Sequence, residues 1–112
     1  MRIAVTITAP DQNATFNAHF GRAGGFAVFD TDSGDQHVLA NPAVELGSGA
    51  GIRAAEFLVK QGVDTVISGS FGPKASTVLR AAGLRLYLAS SGPVDDLITQ
   101  LQNGDLTSAG EN

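Results

Sequence analysis

Apolar positions along this 112-residue chain recur at two spacings, and the spacing assigns the elements. Between Arg2 and Thr8, Ile3, Val5 and Ile7 alternate with smaller or polar residues, which predicts a strand with one strongly apolar face. Gly25 to Thr31 is apolar at both parities, as expected of a strand covered on both sides. Asp32-Ser33-Gly34-Asp35 has turn chemistry, and Gln36 to Ala40 returns as a short third strand suited to a sheet edge. Beyond the Asn41–Ser48 loop the spacing changes to threes and fours. Gly49 to Gln61 is predicted helical, with Ile52, Ala55, Leu58 and Val59 on one face and Arg53, Glu56 and Lys60 on another. Phe57 falls on the polar side and reads as an exposed ring covering neighbouring side chains, with a partner contact as the alternative. Asp64–Ser68 and Leu84–Leu88 read as strands. Lys74–Ala82 is a helix with Ala75, Val78, Leu79 and Ala82 inward. Val94–Gln102 is another, with Val94, Leu97, Ile98 and Leu101 inward. Gly62, Gly83 and Asn103-Gly104 are placed to end the three helices, while Pro93, Asp95 and Asp96 suit the start of the last.

A β-β-β-α-β-α-β-α order predicts an α/β domain, a three-layer α/β/α sandwich around a five-stranded mixed sheet. The first three strands form an antiparallel meander. Right-handed crossovers add the fourth and fifth parallel to the first, giving the order 3-2-1-4-5 with strand 2 antiparallel. The carboxyl ends of strands 1, 4 and 5 then open onto one edge, where a ligand crevice is expected. Residues 1–107 make a single domain, and 108–112 are expected to fray.

Composition narrows the chemistry. The chain has no cysteine, which leaves no disulfide, no thiolate nucleophile and no all-thiolate zinc or iron–sulfur site. A formal charge of −4, with seven isolated Lys and Arg, argues against nucleic acid as a partner. No apolar run approaches the roughly 20 residues that span a bilayer, and Met1–Thr8 is too short and polar for a signal peptide. A cytoplasmic monomer is expected.

Three glycine-bearing loops precede the helices: Gly47-Ser48-Gly49-Ala50-Gly51, Gly69-Ser70-Phe71-Gly72-Pro73-Lys74, and Ser90-Ser91-Gly92-Pro93. Such loops expose backbone N–H groups at the positive ends of helices and can cradle an anion. Arg22 and Lys74 could add full positive charge there, or pair with Asp11 or Glu45 instead. Between the first two strands lies Ala18-His19-Phe20-Gly21-Arg22-Ala23-Gly24-Gly25, holding one of only two histidines. His19 can bind metal through a neutral ring nitrogen, but a lone histidine is no zinc site. It can be the single protein ligand to a preassembled cluster, or its imidazole can simply bond to loop backbone. Both readings stay open at this point. Enzyme readings have less support. The sheet order resembles a ribonuclease H-like fold, yet metal-dependent nucleases of that fold need acids on the first strand, and Arg2–Thr8 has none. No Gly-x-Ser-x-Gly elbow and no phosphate-binding Gly-x-x-x-x-Gly-Lys-[Ser/Thr] loop occurs.

The segments His19-Phe20-Gly21-Arg22-Ala23, Gly49-Ala50-Gly51-Ile52, Gly69-Ser70-Phe71-Gly72-Pro73 with Ala75, and Ala81-Ala82-Gly83-Leu84 occur in the order seen in the dinitrogenase iron–molybdenum cofactor biosynthesis family. The chain resembles that family from Met1 to about Leu106. The resemblance implies a ribonuclease H-like domain and a non-catalytic carrier or assembly protein for a molybdenum- or iron-containing sulfide cluster, bound non-covalently. It also implies cluster donor or acceptor proteins as partners and His19 as the residue at the cluster. On this reading His19, Phe20, Gly21, Arg22, Gly49, Ala50, Gly51, Ser70, Gly72, Lys74, Ser91 and Gly92 surround the cluster, with His19 on the metal. The alternative is a regulatory or interaction module that binds a small anion or phosphate. The chain lacks the cysteines and histidine-rich tails of some relatives and the extra domains of the larger nitrogenase accessory proteins.

Overall fold

The computed structural model describes residues 1–109. Its elements run β1 (Arg2–Ile7), a 3-10 turn (Phe20–Arg22), β2 (Gly25–Asp30), β3 (Gln36–Ala40), α1 (Ala50–Lys60), β4 (Thr65–Ser68), α2 (Pro73–Ala81), β5 (Arg85–Leu88), α3 (Val94–Gln102) and β6 (Thr107–Ser108). One mixed sheet holds them in the order β3-β2-β1-β4-β5-β6. β1 and β2 pair antiparallel from Arg2↔Asp30 to Ile7↔Gly25, while β4 lies parallel to β1 and β5 parallel to β4.

Side-chain alternation divides β1 between two cores. Ala4 faces the larger one, shared by Ala54, Ala55 and Leu58 of α1 and by Ala75 and Leu79 of α2. Ile3 and Val5 face the smaller one, against Leu97 and Ile98 of α3. Two helices therefore cover one face of the sheet and a single helix covers the other, and the three layers of the expected sandwich are present.

Four expectations need correction. The sheet has six strands, not five: Leu88 pairs with Thr107 and Tyr87 with Ser108, and the Ala109 N–H donates to the Leu86 carbonyl. Arg80 also donates to the Ala109 carbonyl, so the chain is held at 108 and 109 where fraying was expected. The cause is the unpaired outer edge of β5, which takes up the returning chain once α3 has turned it back. Residues 110–112 of the expected tail lie outside the described residues. Phe57 is half-buried and stacks on Phe26 at a centroid separation of 6.2 Å, rather than standing exposed. An aromatic ring is long enough to reach past the edge of a helical stripe onto β2. Ala82, expected inward, is exposed because α2 ends one residue earlier and the chain turns at Gly83.

Candidate site at the carboxyl edge of the sheet

The chain leaves β1 and returns to it before entering β2. The Thr8 N–H donates to the Thr15 carbonyl at 2.8 Å and the Asn17 N–H to the Thr6 carbonyl at 2.9 Å, so residues 9–16 form an excursion closed at its base. From that base the chain crosses to the loop after β4. His19 and Ser70 form a one-residue parallel bridge, the Phe20 N–H donating to the Ser70 carbonyl at 3.1 Å. Two fully buried hydroxyls sit beneath this crossing. Thr6 bonds to the Asn17 carbonyl and lies 3.0 Å from the Ser68 hydroxyl, and Ser68 lies within reach of the Ala18 and Ser70 carbonyls at 3.5 and 3.3 Å. Buried hydroxyls without partners would be costly, so these bonds specify how the two loops meet. The contact is close enough to require glycine. A Cβ on Gly69 would come within 2.7 Å of the Ala18 Cβ and of its carbonyl oxygen.

The bridge decides where His19 and Phe20 go. His19 is exposed, its own N–H taken by the Asn17 side chain at 2.8 Å. Phe20 turns the opposite way and is 1% exposed, with its ring 5.9 Å from that of Phe26 and 5.5 Å from that of Phe71. Of the pair, Phe20 pins the loop to the core and His19 is left free to present its ring to solvent. Phe20 is thus a correction to the expected binding set: a ring enclosed in the core touches nothing outside it.

The turn Phe20–Arg22 leans on the start of α1, where a Cβ on Gly21 would sit 3.4 Å from the Gly51 Cα. Gly51 in turn faces Ala75, so the first turns of α1 and α2 touch. Between them lies a hollow of about 230 Å³ lined by Gly49, Gly51, Ile52, Phe71, Gly72, Pro73, Lys74 and Ala75. Both helices begin at glycines of positive φ, Gly49 at 79° and Gly72 at 74°, and neither has a side-chain cap. Among the described residues the N–H groups of Ala50, Gly51, Ile52, Lys74 and Ala75 have no protein acceptor. Uncapped N–H groups at two touching helix starts form a field suited to an anion. Ser70, exposed, stands at the bridge, and Ala50 is half-buried in the first turn of α1.

Arg22 and Lys74 are exposed, and neither has a carboxylate within 4 Å among the described residues; pairing with Asp11 or Glu45 does not occur. Arg53 lies 4.0 Å from Glu56 on its own helix. Ser91 and Gly92 are a second correction. They line a different and larger hollow with Ile7, Phe16 and Val38, on the α3 side of the sheet. All three helix N-termini reach the same sheet edge, but α3 packs on the opposite face and carries its loop away from the other two.

Thr6, Ser68 and Asn41 were missed as site-building residues. Asn41 is 3% exposed and donates to the Ala23 carbonyl while accepting from the Ala43 N–H, tying the loop before α1 to the end of the His19 turn. A hydroxyl or amide inside or beside an apolar strand run was the available signal.

The sequence signature described as dinitrogenase iron-molybdenum cofactor matches residues 1–104. The chain belongs to that family. The family is associated with iron–molybdenum cofactor biosynthesis and cluster binding. The apo form of the orange protein from Desulfovibrio gigas is 34% identical and superposes with a TM-score of 0.90, over 97% of this chain and 92% of that one. A Thermotoga protein given the provisional name NifB is 28% identical with a TM-score of 0.84, over 99% and 97%. An uncharacterised protein of Methanocaldococcus jannaschii is 28% identical over 103 residues, 89% of this chain and 87% of its own length.

Family membership allows a test of fit. A bare metal ion needs several side-chain ligands, and no group of three or more His, Asp or Glu able to hold one occurs among the described residues. A prebuilt sulfide cluster brings most of its ligands and carries negative charge. It asks its holder for N–H donors, positive charge and an anchoring nitrogen. The uncapped N–H groups, Arg22 and Lys74, and the exposed imidazole of His19 are groups of these kinds.

Proposed function

We propose that this protein is a non-catalytic carrier or assembly protein for a molybdenum- or iron-containing sulfide cluster, held as cargo and not covalently. The observation that carries the reading is the junction of the His19 turn with the first turns of α1 and α2. There the turn that follows the exposed His19 and carries Arg22 packs on the start of α1, next to a hollow with uncapped N–H donors that Lys74 lines. Gly21, Gly49, Ala50, Gly51 and Gly72 bring backbone to the cargo, Ser70 fixes the His19 turn, and Arg22 and Lys74 balance charge. His19 supplies one ligand to a cluster metal. Local field at the hollow matters here, not the net charge of −4. A hollow of about 230 Å³ that opens to solvent suits cargo that is handed between donor and acceptor proteins.

The same reading makes the protein a ribonuclease H-like, cytoplasmic monomer; no helix among the described residues is long and apolar enough to cross a membrane. The family assignment supports a cluster over other anions. The uncapped helix starts favour one alternative, a module that binds phosphate or another small anion through the same N–H groups.

The deciding experiment mixes the apo-protein with tetrathiomolybdate and ferrous iron without oxygen, separates free reagent, and records visible absorbance. Retained absorbance in the wild type and at least a tenfold loss in His19→Ala are expected. Equal retention by both would remove His19 from the site, and none by either would sink the carrier reading. A thermal shift with phosphate but none with the thiometallate would favour the alternative.

A further inference from the structure

The single helix on the second face shares its core with β1, β4, β5 and, through Phe29, the far end of β2, whereas β3 contributes no residue to that core. The excursion 9–16 arches over part of this face without filling it. The result is an open groove of about 850 Å³, far larger than the hollow beside His19. Its floor is apolar, with Ile7, Phe16, Ala27 and Val38 among the lining residues. Ile7 and Ala27 are buried in this floor, and Phe16 and Val38 are half-buried and face the open space.

The rim has a definite charge. Asp11 and Asp95 both line the groove, and neither has a cationic partner within 4 Å among the described residues. Among the described residues no Lys or Arg lines it, and His37 is the one other titratable side chain there. One bank is β3, the last strand of the sheet, whose outward N–H and C=O groups meet no neighbouring strand. β3 also lacks the lysine or proline that often blunts such an edge.

We infer that this groove docks an extended segment of a partner protein that carries apolar side chains flanked by Lys or Arg. The apolar residues lie over Phe16 and Val38, and the cations face Asp11 and Asp95. A second copy of this chain fits poorly, because its charge is −4 and its own groove rim is acidic. The inference does not depend on the cargo: the groove lies on the opposite face of the sheet from the His19 hollow.

The test titrates 15N-labelled protein, without cargo, with the synthetic peptide acetyl-Lys-Val-Arg-Val-Lys-Thr-amide, and separately with the same peptide carrying Glu at each cationic position. The cationic peptide is expected to shift amide resonances of residues 14–18, 36–38 and 90–95, and the acidic peptide to leave them in place. Asp11→Asn with Asp95→Asn should weaken binding about fivefold at low salt, the scale of two exposed charge pairs. Ala27→Leu, which fills the floor without touching the rim, should weaken it as well. Binding of both peptides equally, of neither, or shifts confined to residues 49–51 and 72–75 would overturn the inference. So would dimerisation through β3, seen in sedimentation, because the groove would then be occupied by a second copy.

Discussion

The two faces of one sheet have come out differently. On the α1/α2 side three phenylalanines, Phe20, Phe26 and Phe71, close the space between helices and strands, and what remains at the edge is a small hollow bounded mainly by backbone. On the α3 side the single helix leaves β3 out of its core, and a broad groove bounded by side chains remains. The first arrangement suits a small, charged, compact object and the second an extended apolar one. The number of helices laid on each face, more than any single residue, sets this contrast.

The largest expected effect comes from opening the closed face. Phe20→Ala removes a ring packed against two others and should cost about 3–5 kcal/mol in urea denaturation. A loss below about 1 kcal/mol would mean that the ring does not anchor the His19 turn. A matched pair of overpacking changes sharpens the contrast. Ala55→Leu, in the closed core, should destabilise by about 1–3 kcal/mol, whereas Ala27→Leu, bordering the groove, should stay within roughly 1 kcal/mol of the parent. Equal losses would show that the two faces are packed alike.

Thr6→Val is smaller in stability but more telling about the site. Deleting the buried hydroxyl should cost about 1–2 kcal/mol by leaving the Asn17 carbonyl short of a donor. Thiometallate retention should fall with it, since the His19 turn loses its footing. Retention unchanged at full stability loss would separate the hydroxyls from the site.

The smallest effect lies at the turn between β2 and β3. Backbone N–H donation from Asp32, against a push from burial and aided by the Ser33 N–H, the N-terminal amine and Arg2, holds the Asp30 carboxyl below its usual 3.8. A lowered folded value means that this contribution is present above 3.8 and is lost as pH falls through the folded value. Asp30→Asn should therefore be slightly less stable than wild type at neutral pH and match it in strong acid. A gap that persists at low pH would assign the effect to shape and not charge.

Much of the fold was legible because it rests on local periodicity. Alternation along Ile3, Val5 and Ile7 and the threes-and-fours spacing through α1, α2 and α3 are properties of neighbouring residues, and a buried face needs no distant partner to declare itself. The order of the first five strands followed from chirality and short connections. β6 was not legible, since two residues carry no period and pair only because β5 has a vacant edge at that place.

The site divides the same way. Residue types alone pointed to His19, Arg22 and the glycines before α1 and α2 as material for holding an anion. Sequence left open which of His19 and Phe20 faces the core, because one residue of register reverses both. The bridge of His19 to Ser70, over the buried Thr6 and Ser68 hydroxyls, settles it. Sequence also treated the Ser91-Gly92 loop as equivalent to the other two. Only the packing of α3 on the opposite face separates it from them, and a helix's choice of face is decided by the sheet it finds there, not by its own stripe.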